Sequence, residues 1–290
     1  MLTAAVNVSE GRDPVVLAAL AAAAGAALLD RHADPDHHRS VFTLGGPEVE
    51  AAVAALAAAA VARIDLRAHR GVHPRFGVVD VVPWVAWSAG RGGLVEAADA
   101  GEAVAARRRF ALRAASTGVP VACYGPAVPA RPPMPALPAR TLPELRRRLW
   151  ADLEPDVGPR RPHPTAGATA AGVRGALVAY NLWLADPDLG LARQVAAQLR
   201  GPAVRALGLA VGAAVQVSCN LVDPWRVGPG AVFDEVAARA PVARAELVGL
   251  VPAAVVAAEP TARWAELDLD PSRTLEGRLE DAGFAPAGGT

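Results

Sequence analysis

Arg39-Ser40-Val41-Phe42-Thr43-Leu44-Gly45-Gly46-Pro47-Glu48 is a short apolar run that meets a turn and then opens a helix. The β-branched and aromatic residues of 39–44 read as a strand. Gly45-Gly46-Pro47 cannot continue it, and the alanine-rich stretch from Glu48 to Arg63 suits a helix packed tightly on a sheet. Upstream stand a strand candidate at Leu2–Asn7, a helix from about Asp13 to Ala24, and a strand that ends near Asp30. Asp13 and Pro14 supply that helix with an N-cap and a first-turn proline. Downstream, Val78 to Trp87 is β-branched and apolar. The order is βαββαβ, the split-βαβ or ferredoxin-like arrangement.

A helix at Leu94–Ser116 and a strand at Val119–Tyr124 extend this unit, and a proline-rich tract from Gly125 to Pro143 is either an ordered loop or a mobile flap. The second half repeats the pattern. It has a strand at Arg174–Leu184, a helix at Asp188–Arg200, strands at Ala203–Gly208 and Val211–Val222, a helix at Val232–Ala240 and a strand at Arg244–Val251. The expected fold is therefore α/β (α+β), two ferredoxin-like βαββαβ subdomains over residues 1–173 and 174–290, with a ligand cleft between them.

All 29 basic residues are arginine, and they balance 29 acidic ones. Without a lysine amine there is no pyridoxal Schiff base, no Schiff-base aldolase and no P-loop lysine. Zero net charge supplies no global field toward nucleic acid or a membrane surface, and neither is expected as a partner. Cys123 and Cys219 show no CxxC spacing and read as buried free thiols of a reducing compartment. With no signal-peptide pattern at the start and no apolar run of membrane length, the cytoplasm is the expected location.

The chemistry-bearing residues concentrate in three segments. In His69-Arg70-Gly71-Val72-His73-Pro74-Arg75-Phe76-Gly77, the glycines permit close approach of backbone or ligand and Pro74 pushes His73 toward extended geometry. The connection from Asp30 to Arg39 holds three carboxylates, Asp30 at the end of a strand, Asp34 and Asp36, together with His32, His37 and His38. Gly158-Pro159-Arg160-Arg161-Pro162-His163-Pro164-Thr165-Ala166-Gly167 is stiffened by prolines and is either an interdomain linker or a clamp for a flat ligand and an attached carboxylate. His69 and His73 have the i, i+4 spacing of a zinc pair. Gly71 and Pro74 argue against a helix, the HExxH glutamate is missing, and no metal is expected. The arginine triplets Arg107–Arg109 and Arg146–Arg148 read as solvated helix faces. Asn7, Asn181, Gln216 and Asn220 fall in strands, where they either tie strands together or read a heteroaromatic ligand edge.

Together these segments resemble the formiminotransferase family, which comprises glutamate formiminotransferase and the transferase half of formiminotransferase-cyclodeaminase. The blocks that carry the likeness are Val6–Arg12, His38–Thr43, Gly71–Pro83 and Pro155–Thr169, supported by Leu177–Asn181, Gln216–Leu221 and Glu246–Pro252. The resemblance implies a folate tunnel between two α/β subdomains, a homodimer and, since no cyclodeaminase segment follows Thr290, a stand-alone transferase. It implies His73 as the catalytic histidine and Gly158–Gly167 as the folate-contacting segment. The implied co-substrates are tetrahydrofolate and 5-formiminotetrahydrofolate, in histidine degradation and one-carbon metabolism. This chain departs from the family pattern at Val6, Val8, Val78 and Trp84, and at His32, where the family has an aspartate.

The implied reaction moves a formimino group between N-formimino-L-glutamate and tetrahydrofolate. An imidazole with an ordinary pKa of about 6.5 can take and return the proton that this exchange needs. His73 is expected in that role, oriented by Asp80 or the Asp30–Asp36 connection, with Arg39, Arg75, Arg160 and Arg161 as countercharges for substrate carboxylates. A folate-binding protein without turnover, and transfer of formyl or to an acceptor other than glutamate, are the alternative readings.

Overall fold

A computed structural model describes residues 1–87 and 100–284. The chain divides into two units, Met1–Arg174 and Gly175–Thr290. The first contains β1 (Leu2–Val8), α1 (Pro14–Ala24), β2 (Leu28–Asp34), β3 (Arg39–Gly45), α2 (Val49–Arg63), β4 (Val79–Ala86), α3 (Gly101–Ser116), β5 (Val121–Tyr124), α4 (Leu142–Arg148) and β6 (Thr169–Val173). Their sheet runs β2-β3-β1-β4-β6-β5. The first four strands pair antiparallel, and β4, β6 and β5 pair parallel. β3 lies between β1 and β2, which is the split expected of βαββαβ.

Local chemistry starts these elements as the residues suggest. Asp13 accepts from the amides of Val15 and Val16 at the head of α1, ahead of Pro14. Alanine-rich α1 and α2 then lie close against the sheet, with Leu20, Leu56, Val6 and Phe42 excluded from solvent. Trp84 of β4 meets Phe110 of α3 edge on, 6.3 Å between ring centroids. Part of the expected 94–116 helix falls outside the described residues; the described portion begins at Gly101.

β6 was not anticipated, because Thr169-Ala170-Ala171-Gly172-Val173 carries little β-branched signal. Its identity comes from parallel pairing on both edges, with β4 and with β5. The segment read as one strand from Arg174 to Leu184 is accordingly shorter, beginning at Val178. The proline-rich tract is an ordered antiparallel ribbon with bridges Gly125–Arg140, Val128–Leu137 and Arg131–Met134. Met134 and Leu137 join the core, which decides between loop and flap in favour of the loop.

The arginine triplets are not uniformly solvated. Arg107 is buried on the stripe that also carries Ala103, Phe110 and Ala111, and it donates to the Tyr124 carbonyl at 2.7 Å. A second apolar cluster, Val81, Tyr124, Ala168 and Ala170 with Leu145 of α4 and Leu149 at its C-cap, covers the sheet at its β4-β6-β5 end. Through it α4 is laid beside Phe76, which packs on the same cluster.

The second unit repeats the topology with β7 (Val178–Leu184), α5 (Leu189–Leu199), β8 (Val204–Val211), β9 (Ala214–Leu221), α6 (Pro229–Ala237) and β10 (Val242–Val248), followed by α7 (Ala253–Ala257) and α8 (Leu275–Asp281). Its sheet order is β10-β7-β9-β8, all antiparallel, which is the order of the first four strands of the other unit. The core combines Tyr180, Leu182, Val217 and Leu247 with Val195, Val232 and Val236 of the helices. Asn181 donates to Glu246 at 3.2 Å and the Trp183 indole donates to the same carboxylate at 2.8 Å. Asn181 therefore ties neighbouring strands.

Candidate active site

The polar connection between β2 and β3 and the segment 69–77 come together at one edge of the first sheet. Asp34 caps its own turn, accepting from the amides of Asp36 and His37 at 2.8 Å each. The turn ends at His38, whose φ of 49° is in the left-handed region. His38 faces the Arg70 carbonyl with Nδ1 at 2.9 Å and Glu10 with Nε2 at 3.1 Å. The His69 ring stacks on it at 4.0 Å between centroids. His69 donates from Nε2 to the His38 carbonyl at 3.0 Å, while its Nδ1 receives the Arg75 guanidinium. Gly71 is required here. A β-carbon on it would lie 2.5 Å from the His37 carbonyl oxygen and 2.9 Å from the His38 side chain.

Glu10 anchors the junction from the β1–α1 connection, accepting from the amides of Gly11, Arg12 and Asp13 at 2.7–3.0 Å. Burial alone would raise its pKa, but the Asp13 and Arg12 amides and His38 outweigh burial and hold the carboxyl below the usual range. His69 is lowered as well, to about 4, by burial and by the charges of Arg75 and His38, which disfavour its protonated form.

His73 is half-buried, and its Nδ1 donates to the carbonyl of Pro74 at 2.7 Å. In the neutral ring the lone pair then lies on Nε2. Burial pushes its pKa down to about 3, helped by the charges of Arg39 and Arg146 and opposed by Asp80. Asp80 is fully buried, accepts the Phe76 amide and is paired closely with Arg39. Burial raises its pKa, but Arg39 and Arg146 overcome that effect and keep it below the ordinary carboxylate value. The ring's Nδ1 partner is thus a peptide carbonyl, and Asp80 acts on the imidazole as a nearby charge that is itself paired with Arg39 and Arg146.

The other residues expected at the site divide by placement. Arg39 donates from Nε and NH2 to Asn7 Oδ1 at 3.2 and 2.7 Å, so its fork serves Asn7 and Asp80. Arg75 reaches the carbonyls of Gly71 and His73 at 3.0 and 2.6 Å and staples its own loop. Asp30 lies on edge strand β2 opposite Thr43, four residues before the strand end where Asp34 faces Arg39. Arg160 is exposed and pairs with Glu154 at 3.2 Å, and Arg161 is also exposed.

The 158–167 loop is the immediate neighbour of the His73 segment. Its end is a tight turn in which His163 and Gly167 exchange backbone hydrogen bonds at 2.8 and 2.9 Å. His163 Nδ1 accepts from the amides of Thr165 and Ala166. Val78 donates to the Ala166 carbonyl at 2.9 Å, Ala168 to the Phe76 carbonyl at 3.0 Å, and Leu66 to the Thr165 carbonyl at 2.9 Å. Gly77 must lack a side chain, since a β-carbon there would run into the Ala166 and Ala168 carbonyls.

Arg146 is the site residue that the linear reading missed. It donates to the Pro74 carbonyl at 2.8 Å and to Asp80 at 3.3 Å, and it lies 4.8 Å over the Phe76 ring. The available signal was Thr141-Leu142-Pro143-Glu144, a capped helix start. Leu145 and Leu149 on one face imply a docked helix rather than a free one.

Among the described residues, no group of three or more His, Cys, Asp or Glu side chains is placed to hold a metal ion. Cys123 and Cys219 are buried free thiols, each raised to about 12 by burial first of all. No helix among the described residues is long and apolar enough to cross a membrane.

Residues 1–174 match the formiminotransferase domain, N-terminal subdomain. The chain is 37% identical to the formimidoyltransferase-cyclodeaminase of Sus scrofa over 85% of its own length and 49% of that protein's. It is 32% identical to the glutamate formimidoyltransferase of Streptococcus pyogenes serotype M1, covering 85% of this chain and 87% of that one. Identity to the glutamate formimidoyltransferase of Thermoplasma acidophilum is 31%, covering 85% and 86%. The chain spans about half the length of the cyclodeaminase relatives it matches and most of the length of the other two.

Proposed function

Because this chain belongs to the formiminotransferase family, we propose that it transfers a formimino group between N-formimino-L-glutamate and tetrahydrofolate with His73 as general acid/base. The observation that carries this reading is the Nδ1–Pro74 hydrogen bond, which leaves Nε2 as the basic atom of a neutral ring. N5 of tetrahydrofolate attacks the formimino carbon, and its proton passes to Nε2. The tetrahedral intermediate then collapses, the glutamate nitrogen takes that proton, and the carbon–nitrogen bond to glutamate breaks. The products are L-glutamate and 5-formiminotetrahydrofolate. An imidazolium held between Arg39 and Arg146 is a strong acid, so it returns its proton readily to the departing nitrogen.

Folate is the proposed co-substrate, with Gly158–Gly167 as its candidate seat beside His73. That placement is supported by the backbone bonds joining the loop to Phe76 and Val78. Arg160 and Arg161 are the candidates for substrate carboxylates, because the fork of Arg39 and most donors of Arg75 already serve internal acceptors. Residues 174–290 are read as the matching C-terminal subdomain, supported by the repeated strand order. Free thiols and the bacterial relative support a cytoplasmic enzyme, and the family likeness supports a homodimer.

The test is incubation of the purified protein with tetrahydrofolate and N-formimino-L-glutamate, in parallel with the N-formyl analogue and N-formimino derivatives of other amino acids. Glutamate release with the first donor is expected. Tetrahydrofolate binding by calorimetry with no transfer from any donor would replace the reading with folate binding alone.

A further inference from the structure

Charged and titratable groups face His73 from several elements. β3 brings Arg39, β4 brings Asp80, α4 brings Arg146, and the β2–β3 turn brings His37, whose ring lies 6.1 Å away. Its own loop supplies Arg75, which holds the His73 carbonyl at 2.6 Å. Among the described residues, Arg146 alone grips both the oxygen that holds the imidazole and the carboxylate beneath it. One amine donates to the Pro74 carbonyl at 2.8 Å and the other to Asp80 at 3.3 Å. A guanidinium can span two such acceptors because its donors form a rigid planar fork, whereas an ammonium is a point donor.

We propose that Arg146 is a positioning residue for His73: by holding the Pro74 carbonyl and Asp80 together it fixes the ring as the Nδ1–H tautomer and leaves Nε2 as its open atom. The proposal rests on the reading of His73 as the proton carrier. A carbonyl oxygen has two lone pairs, so Pro74 can serve Arg146 and His73 at once. With Arg146 in place the oxygen is held in one orientation and the ring has one matching tautomer. Without it, the Pro74 carbonyl is free to turn and Asp80 is balanced by Arg39 alone, so the imidazole takes up a proton more easily. The helix that delivers the group is seated by Leu145 and Leu149, and the Phe76 face under the guanidinium limits its swing.

Two-bond proton–nitrogen correlation spectra of nitrogen-labelled protein report the tautomer and titration midpoint of each imidazole, with His73 assigned by its loss in His73→Ala. Arg146→Met, which keeps a stem over Phe76, is expected to raise the His73 midpoint by at least about one pH unit and to mix the tautomers. The acid limb of kcat/KM is expected to move by the same amount, and kcat to fall about tenfold with KM within about twofold of wild type. Arg146→Lys, which keeps the charge, is expected to hold the midpoint near that of wild type while losing the single tautomer. A folded Arg146→Met protein with midpoint, tautomer and acid limb unmoved would overturn the proposal. If that variant does not fold, an Arg146→Lys protein with unchanged tautomer and kcat overturns it equally. The spectra need no substrate, so a shifted midpoint in a protein without transferase turnover removes the functional reading and leaves the positioning role standing.

Discussion

His73 donates its Nδ1 proton to the carbonyl of Pro74, the next residue in the chain, at 2.7 Å. The proline that stiffens the loop therefore also sets the tautomer of the imidazole, and the atom left for chemistry is Nε2. His73→Ala removes that atom without touching the sheet. Turnover is expected to fall by at least about a hundredfold, with the tetrahydrofolate dissociation constant within a few-fold of wild type. Stopped-flow assay and calorimetry on the same preparation measure the two effects. Near-normal turnover would exclude His73 from the proton transfer.

The pH dependence follows from the low pKa of His73. An ordinary imidazole is half protonated at about 6.5, and kcat/KM would drop roughly tenfold for each unit below that. With a midpoint pushed down to about 3, His73 stays unprotonated throughout the range in which the protein is handled. Between pH 7.5 and 5.5, kcat/KM for the formimino donor is expected to change less than about twofold. A limb centred near 6.5 that disappears in no variant other than His73 would contradict the site as described.

Stability carries the same signature. His73 and His69 have folded pKa values pushed down to about 3 and about 4, below the unfolded value. The unfolded chain then binds more protons than the native one, so stability rises with pH. Unfolding free energy from urea titrations is expected to be flat above about pH 7 and to decline as pH falls from about 6.5 toward 3. Asp80, whose folded pKa is also lowered, adds a further loss only as pH falls below the unfolded carboxylate value of about 3.9.

Asp80 holds two guanidinium groups from a fully buried position. Asp80→Asn leaves both cations short of their counterion and is expected to cost about 3 kcal/mol in stability. In the folded fraction the opposing charge on His73 is gone, so its midpoint should move further down. Denaturant melts and imidazole titration read the two effects separately. A rise in the midpoint would mean that Asp80 does not act on the ring as a charge.

Gly71→Ala tests the contact between the two polar segments. The added methyl meets the His37 carbonyl and the His38 side chain, and this clash is expected to cost about 1–3 kcal/mol or to push the 69–75 loop off the β2–β3 turn. Either result should lower kcat, since the loop carries His73. A variant as stable and as active as wild type would show that the two segments do not meet.

Much of the architecture was written into the chain at short range. The Asp13-Pro14 start of α1, the Gly45-Gly46-Pro47 turn and the β-branched run of β4 are local decisions made by backbone conformation and side-chain shape. The duplicated βαββαβ order could be read from them in succession. Residue type likewise marked the 69–77 segment as a place of close backbone approach, since Gly71, Pro74 and Gly77 stand around its histidines, while it was the resemblance to the formiminotransferase family that pointed to His73 among them.

Tertiary structure decided the rest. β6 is a strand because β4 and β5 lie on either side of it, a fact that Ala170, Ala171 and Gly172 do not announce. The two special loops are neighbours because Gly77 and Gly167 pair across nearly a hundred residues of chain, and Arg146 meets the Pro74 carbonyl and Asp80 only because Leu145 and Leu149 dock α4 on the sheet. The protonation state of His73 belongs to this second group. It is set by burial and by the charges of Arg39, Arg146 and Asp80, which reach the ring through space from three different elements. Local sequence governs the conformations a segment can adopt; electrostatics and burial depend on distances that exist only after the chain has closed.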